Sequence, residues 1–128
     1  TMAAVEHEPG KYVAKPGIVK ADGKYIMCVL PACFKIDLRA LKTQLKAKSV
    51  ELAEEKEIAK ICGDCEIGAE APFGSLYDLP TVMDKMLEKN DHIVFQAGSH
   101  EKAIRINMDD YLKLAAPEVL EFSFHMTS

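Results

Sequence analysis

The hydrophobic pattern divides this chain into short runs whose period switches between that of a strand and that of a helix. Val13 to Lys20 reads as extended, interrupted at Pro16 and Gly17. Proline cannot donate to a sheet ladder, so this piece is expected at an edge, a bulge or a strand start. Ala21-Asp22-Gly23-Lys24 has turn composition and makes its flanking runs a hairpin. Tyr25 to Leu30 is almost wholly apolar, which predicts a strand buried on both faces.

Helical spacing appears next. Asp37 is a good N-cap, and Leu38, Leu41 and Leu45 form one stripe with Lys42 and Lys46 outside it. Ser49 to Leu52 predicts a short strand. A second helix is expected over 53–61, with Ile58 and Ile61 inward, the Glu54, Glu55, Glu57 run solvated, and Gly63 ending it. Residues 63–80 show no period and hold three glycines and two prolines. A loop of this length in a small domain is usually functional.

Beyond it, Thr81-Val82-Met83 predicts a brief strand, and Asp84 can cap a helix over Lys85 to Lys89. His92 to Ala97 and Lys102 to Asn107 predict a hairpin with Gly98 at its bend. Asp109 or Asp110 starts a last helix through Leu114, Pro117 stops it, and Val119 to Phe124 closes the chain as a strand. Interleaving of about seven strands with about four short helices predicts an α/β (α+β) single domain with a mixed, mostly antiparallel sheet. Residues 1–11 carry no period and are expected to be a flexible N-terminus before a domain over 12–128.

Composition narrows the function classes. A chain of 128 residues with 48% hydrophobic and 28% charged residues can build one core. It has no apolar run long enough to span a membrane and no signal-peptide layout at its start, so a cytoplasmic address without membrane partners is expected. The net charge of −4 argues against a surface that tracks DNA or RNA phosphates throughout, and no DNA partner is expected. It leaves room for a site that touches one nucleotide. Lysines do cluster, at Lys11, Lys15, Lys20 and Lys24 and at Lys42, Lys46 and Lys48.

The cysteines are Cys28, Cys33, Cys62 and Cys65. Cys62 and Cys65 have redox spacing, but thioredoxin-like chemistry needs that motif to open a helix after a strand, and here it follows one. Four thiolates could hold zinc, yet Pro31 separates the first pair and Cys28 lies in a core strand. Small buried side chains plus one loop thiol is the expectation, with no metal or cofactor.

The informative stretch is Asp64 to Gly74. Gly68, Pro72 and Gly74 fix a backbone that can approach a ligand closely and present N–H groups to an oxygen. An oxyanion or water-positioning loop and a plain surface turn both fit these residues.

Taken in order, Val13-Ala14-Lys15, Val29-Leu30-Pro31-Ala32, Val50 to Glu54, Gly68 to Gly74, Thr81 to Leu87 and Ala97-Gly98-Ser99-His100 resemble the motifs of the YbaK and prolyl-tRNA-synthetase-associated editing domains. The resemblance spans about residues 12–124. It implies a trans-editing hydrolase that cleaves the ester between a wrong amino acid and a tRNA 3′ end, assisted by the tRNA's own 2′-hydroxyl and without a cofactor. It implies Lys15, Gly68 and His100 as catalytic residues, with Lys20 the alternative to Lys15 because Pro16 departs from the family pattern. Ala69, Ala71, Pro72, Phe73, Gly74, Gly98 and Ser99 would bind substrate. The family's N-terminal segment of some thirty residues is not in this sequence, which leaves an open pocket or dimer formation to be expected. A monomer or weak homodimer follows. A non-catalytic module binding a small ligand or a protein on the same fold is the alternative.

Overall fold

The apolar run after the first turn becomes the centre of the fold. The computed structural model describes residues 12–125. The expected flexible N-terminus, 1–11, with Lys11, lies outside them. Strand β2 (Lys24–Pro31) pairs antiparallel with β1 (Ala14–Ala21), from Ala14 opposite Pro31 to Ala21 opposite Lys24. Met27, Cys28, Val29 and Leu30 are all fully buried. Their alternation sends Met27 and Val29 into one core cluster and Cys28 and Leu30 into another.

β1 runs through Pro16 and Gly17 without interruption. The Ala32 N–H donates to the Val13 carbonyl, which makes alternate positions of β1 point toward β2. Pro16 falls out of phase, so its missing N–H lies on the side away from β2. On that side β4 (Val50–Leu52) pairs only with Val19 to Ala21. Proline thus sits where no ladder bond is lost.

The main sheet has the order β4-β1-β2-β5-β8, with β5 (Thr81–Asp84) parallel to β2 and β8 (Glu118–Leu120) parallel to β5. Two further antiparallel pairs complete nine strands among the described residues: β3 (Phe34–Ile36) with β9 (Ser123–His125), and β6 (His92–Gln96) with β7 (Ala103–Asn107). The expected closing strand is therefore two strands. It breaks because Asp84 draws the chain aside: its Oδ1 accepts the Phe122 and Ser123 N–H groups at 2.9 and 3.1 Å. Its Oδ2 accepts the Met86 N–H and caps α3 (Lys85–Glu88), the expected role.

Helix α1 (Leu38–Leu45) starts at Asp37, whose carboxylate accepts the Ala40 N–H at 3.0 Å, and Leu41 buries against Cys28 and Leu30. α4 (Met108–Ala115) starts one turn position earlier than expected, with Met108 and Tyr111 in the opposite cluster. α2 (Glu55–Cys62) departs from expectation in one respect. Glu57 is not solvated: it accepts from the Tyr25 hydroxyl and pairs with Lys20 at 3.3 Å. No helix among the described residues is long and apolar enough to cross a membrane.

Candidate active site

The loop after α2 is held against the bend of the β6–β7 hairpin by backbone bonds in both directions. The Glu66 N–H donates to Gly98 O and the Gly98 N–H to Ala69 O, each at 2.8 Å. The Glu66 carboxylate accepts the His100 N–H at 2.9 Å and the Ser99 hydroxyl at 3.4 Å. Gly98 has φ +86°, a left-handed conformation that favours glycine at this bend.

His100 closes over the loop. One ring nitrogen lies 3.0 Å from Ile67 O and the other 3.0 Å from Gln96 Oε1. Gly68, with φ +88°, passes beneath the ring, and a Cβ there would come within 3.6 Å of it. The Gly68 N–H donates to the buried Glu70 carboxylate at 3.2 Å. Gly68 thus offers the site a bare Cα surface, while its N–H, expected to face a ligand, is occupied.

The hairpin also reaches β1. Val94 forms a bridge to Val13, and its N–H donates to Tyr12 O at 2.9 Å. Between the hairpin, the start of β1 and the loop lies a cavity of about 390 Å³. Lys15, Gly68 and His100 all line it, with Pro16, Phe95 and Gln96 among the other walls. Its volume is within the usual range for small-ligand sites. Two smaller clefts, of about 250 and 260 Å³, lie beside Arg105 and beside Lys85.

Lys15 is half-buried, and no described residue forms a hydrogen bond or ion pair with its ammonium. Burial holds it below the usual lysine value; Cys33 opposes that shift and Lys35 adds to it. Its alternative, Lys20, is instead engaged by Glu57, which raises its value. Only Lys15 of the two reaches the cavity.

The other expected binding residues lie behind the wall. Ala69 is fully buried. The Ala71 N–H donates to the Tyr77 hydroxyl at 3.1 Å, and Pro72 O accepts from the Tyr111 hydroxyl at 2.6 Å. Phe73 packs edge-on to Phe95 and tilted against Tyr111. The Gly74 N–H donates to Thr81 Oγ1 at 2.8 Å, and a Cβ at Gly74 would collide with Leu79 O. Ala71 to Gly74 therefore anchor the loop in the core, and none of them lines the cavity. Gly98 and Ser99 act on the loop, not on the cavity.

Two of the cysteines depart from expectation, while Cys28 is buried in the core as expected. Cys62 and Cys65 are joined as a disulfide, because the turn through Gly63 (φ +69°) brings their Cα atoms to 5.5 Å. Cys28 and Cys33 are free, and burial pushes the Cys28 thiol up to about 12. A four-thiol cluster is not formed among the described residues.

Sequence reasoning did not single out Gln96 or Glu66. Gln96 ends β6 four residues before His100, a spacing that carries meaning only once the hairpin is known. Glu66 stood inside the informative loop without a role of its own.

A family model described as an aminoacyl-tRNA editing domain matches residues 1–114. The multifunctional Ser/Thr-tRNA deacylase ProXp-y of Escherichia coli (strain K12) is 33% identical over 107 residues, covering 81% of this chain and 64% of that protein. The chain thus spans less than two thirds of that relative's length. A crystal structure of a candidate trans-editing enzyme for prolyl tRNA synthetase superposes with a TM-score of 0.78 at 19% identity, over 91% of this chain and 73% of the other. Hypothetical protein APE2540 superposes with a TM-score of 0.81 at 17% identity, over 91% and 77%. At those identities the structural likeness is one of fold, which matches the mixed sheet expected. The match over most of the sequence and the 33% identical relative show that the chain belongs to the aminoacyl-tRNA editing domain family.

Proposed function

We propose that this chain is a trans-editing deacylase, hydrolysing the ester that links a mischarged amino acid to the 3′ end of its tRNA. The observation that carries this reading is the convergence of Lys15, Gly68 and His100 on one cavity of about 390 Å³. Ester hydrolysis asks for a positioned water and stabilisation of the oxyanion that forms as the water adds to the carbonyl carbon. Collapse of that adduct expels the ribose 3′ oxygen, with the neighbouring 2′-hydroxyl well placed to help. No side-chain nucleophile is required.

Lys15 supplies the positive charge. An ammonium without a partner among the described residues, half withdrawn from water, attracts a phosphate or a developing oxyanion more strongly than a solvated one does. His100, fixed at both ring nitrogens, forms a rigid wall that orients the aminoacyl group. The bare Gly68 Cα lets that group approach. By the name of its E. coli relative, seryl and threonyl esters are the first substrates to expect. A small hydroxylated side chain suits the Gln96 amide at the cavity wall. A tRNA substrate supports a cytoplasmic address, and the oligomeric state proposed with it is a monomer or weak homodimer.

The test is a panel of seryl-, threonyl-, alanyl- and cysteinyl-tRNAs. Release above the spontaneous rate for at least one, lost in Lys15→Ala, is the expected result. Binding of a tRNA or amino acid with no release from any substrate would instead favour a ligand-binding module, a reading that the occupied Gly68 N–H keeps in play.

A further inference from the structure

The editing reaction makes no use of the Cys62–Cys65 pair, yet that pair sits at the root of the active-site loop. Cys62 is the last residue of α2 and buried; Cys65 is half-buried in the loop. Cys65 packs against the hairpin bend, its Cβ 3.8 Å from where a Cβ on Gly98 would stand. The very next residue, Glu66, holds the hairpin through its N–H and its carboxylate, including the His100 N–H at 2.9 Å. A covalent link at Cys65 is therefore one residue from the group that positions His100.

The surroundings suit two states. In the disulfide, the Cys62 sulfur lies 3.7 Å from Glu66 O; in the dithiol, that same carbonyl becomes an acceptor for the Cys62 S–H. The half-buried Cys65 is the sulfur an external reagent can reach. Glu70, buried beside both sulfurs, has a carboxylate oxygen within 4.8 Å of each.

We propose that Cys62 and Cys65 are a redox-active dithiol, a covalent modification site for hydroperoxides and for dithiol reductants, whose disulfide form holds Glu66 and His100 in the editing geometry. In oxidation, the Cys65 thiolate attacks the hydroperoxide oxygen, forming a sulfenic acid and releasing an alcohol. The Cys62 thiol then displaces water to close the S–S bond. Two thiols and one hydroperoxide thus give one disulfide, one alcohol and one water. In the reverse direction a dithiol reductant takes up the disulfide by exchange, leaving two protein thiols and an oxidised reductant. The disulfide state restricts the chain before Glu66 and preorganises the wall. The dithiol state releases it.

The consequence for editing rests on the deacylase reading, whereas the redox site itself does not. The first measurement is therefore independent of activity: alkylation and mass spectrometry of the full chain after treatment with tert-butyl hydroperoxide, then with dithiothreitol. The expected result is reversible gain and loss of one Cys62–Cys65 disulfide, with the His100 ring resonances shifting between the two states. Deacylation is then compared in both states and in Cys62→Ser/Cys65→Ser, with circular dichroism to check folding. A loss of about tenfold on reduction is expected, since small misplacements of a site cost up to about a hundredfold. The double variant should match the reduced wild type and ignore both reagents. The proposal is overturned if no disulfide forms, or if it forms and neither the His100 resonances nor the rate respond. Stoichiometric zinc on the reduced chain, held by Cys62, Cys65 and Glu70, would also overturn it. If wild type hydrolyses no ester in either state, the deacylase reading fails, and the thiol count and His100 resonances still decide the redox site.

Discussion

The Glu66 carboxylate accepts the backbone N–H of His100 at 2.9 Å, so an acid from the glycine loop fixes the hairpin residue that closes over that loop. The same carboxylate takes the Ser99 hydroxyl, and no other side chain among the described residues bonds both. Glu66→Gln keeps the shape and one acceptor oxygen but removes the charge. A hydrogen bond to a charged group contributes roughly 1.5–3 kcal/mol, and Glu66 is exposed enough to lie at or below the low end. The expected outcome is a fall in stability of about 1 kcal/mol or less with a clear fall in deacylation. Faster amide exchange at His100, relative to wild type, checks that the hairpin has loosened.

Lys15 should separate activity from stability. Its ammonium is half-buried without a described partner, and its value is held below the ordinary 10.5 mainly by burial. A cation whose folded value is lowered destabilises the fold while charged, and that penalty is relieved as pH rises through the folded value. Lys15→Met should therefore leave the melting temperature at neutral pH unchanged or slightly raised while abolishing deacylation. In wild type, activity that depends on the ammonium should decline on the alkaline side before an ordinary lysine would titrate. A variant that lost stability in step with activity would show Lys15 to be structural.

Much of this arrangement could be read from the chain, and the rest had physical reasons to stay hidden. Strands β2 and β6 announced themselves because burial on both faces demands a continuous apolar run. Asp37 and Asp84 were legible as caps because a cap is a local interaction. Pro16 did mark an unpartnered stretch of β1, but nothing local says which side of a strand lacks a partner; that is set by how far β4 reaches. Ala71 to Gly74 looked like a binding wall because small, rigid and aromatic residues serve equally to contact a ligand and to root a loop. The Phe73–Tyr111 packing and the Tyr111–Pro72 hydrogen bond show the second use. Glu57 joined Lys20 and Tyr25 across more than thirty residues, beyond any sequence period.

That Glu57 cluster predicts an acid response. The Tyr25 hydroxyl first, then the Glu54 N–H and Lys20, hold the Glu57 carboxyl down at about 2, against an ordinary 4.5. A depressed carboxyl contributes stability that is present above its unfolded value and lost as pH falls toward its folded one. Wild type should therefore lose more stability than Glu57→Gln between about pH 5 and pH 2. Urea melts across that range check it: parallel curves for the two chains would mean that the cluster adds nothing to the fold.

Gly74 and Gly68 bound the same loop, and alanine should act oppositely at the two. At Gly74 a Cβ meets Leu79 O and Thr81 Oγ1, which are fixed by the turn and by β5. Relief requires moving backbone, and overpacking of this kind costs about 1–3 kcal/mol. At Gly68 the Cβ would find His100 Cε1 at 3.6 Å, an ordinary contact, and the cost is the φ of +88° that alanine resists. Left-handed backbone costs an L-residue about 1–2 kcal/mol. Gly74→Ala should thus melt earlier yet retain wild-type activity per folded molecule at low temperature. Gly68→Ala should stay folded and lose deacylation, because the added methyl and the altered backbone both intrude on the cavity. Active-fraction titration alongside thermal melts distinguishes them, and equal specific activity in the two variants would remove Gly68 from the site.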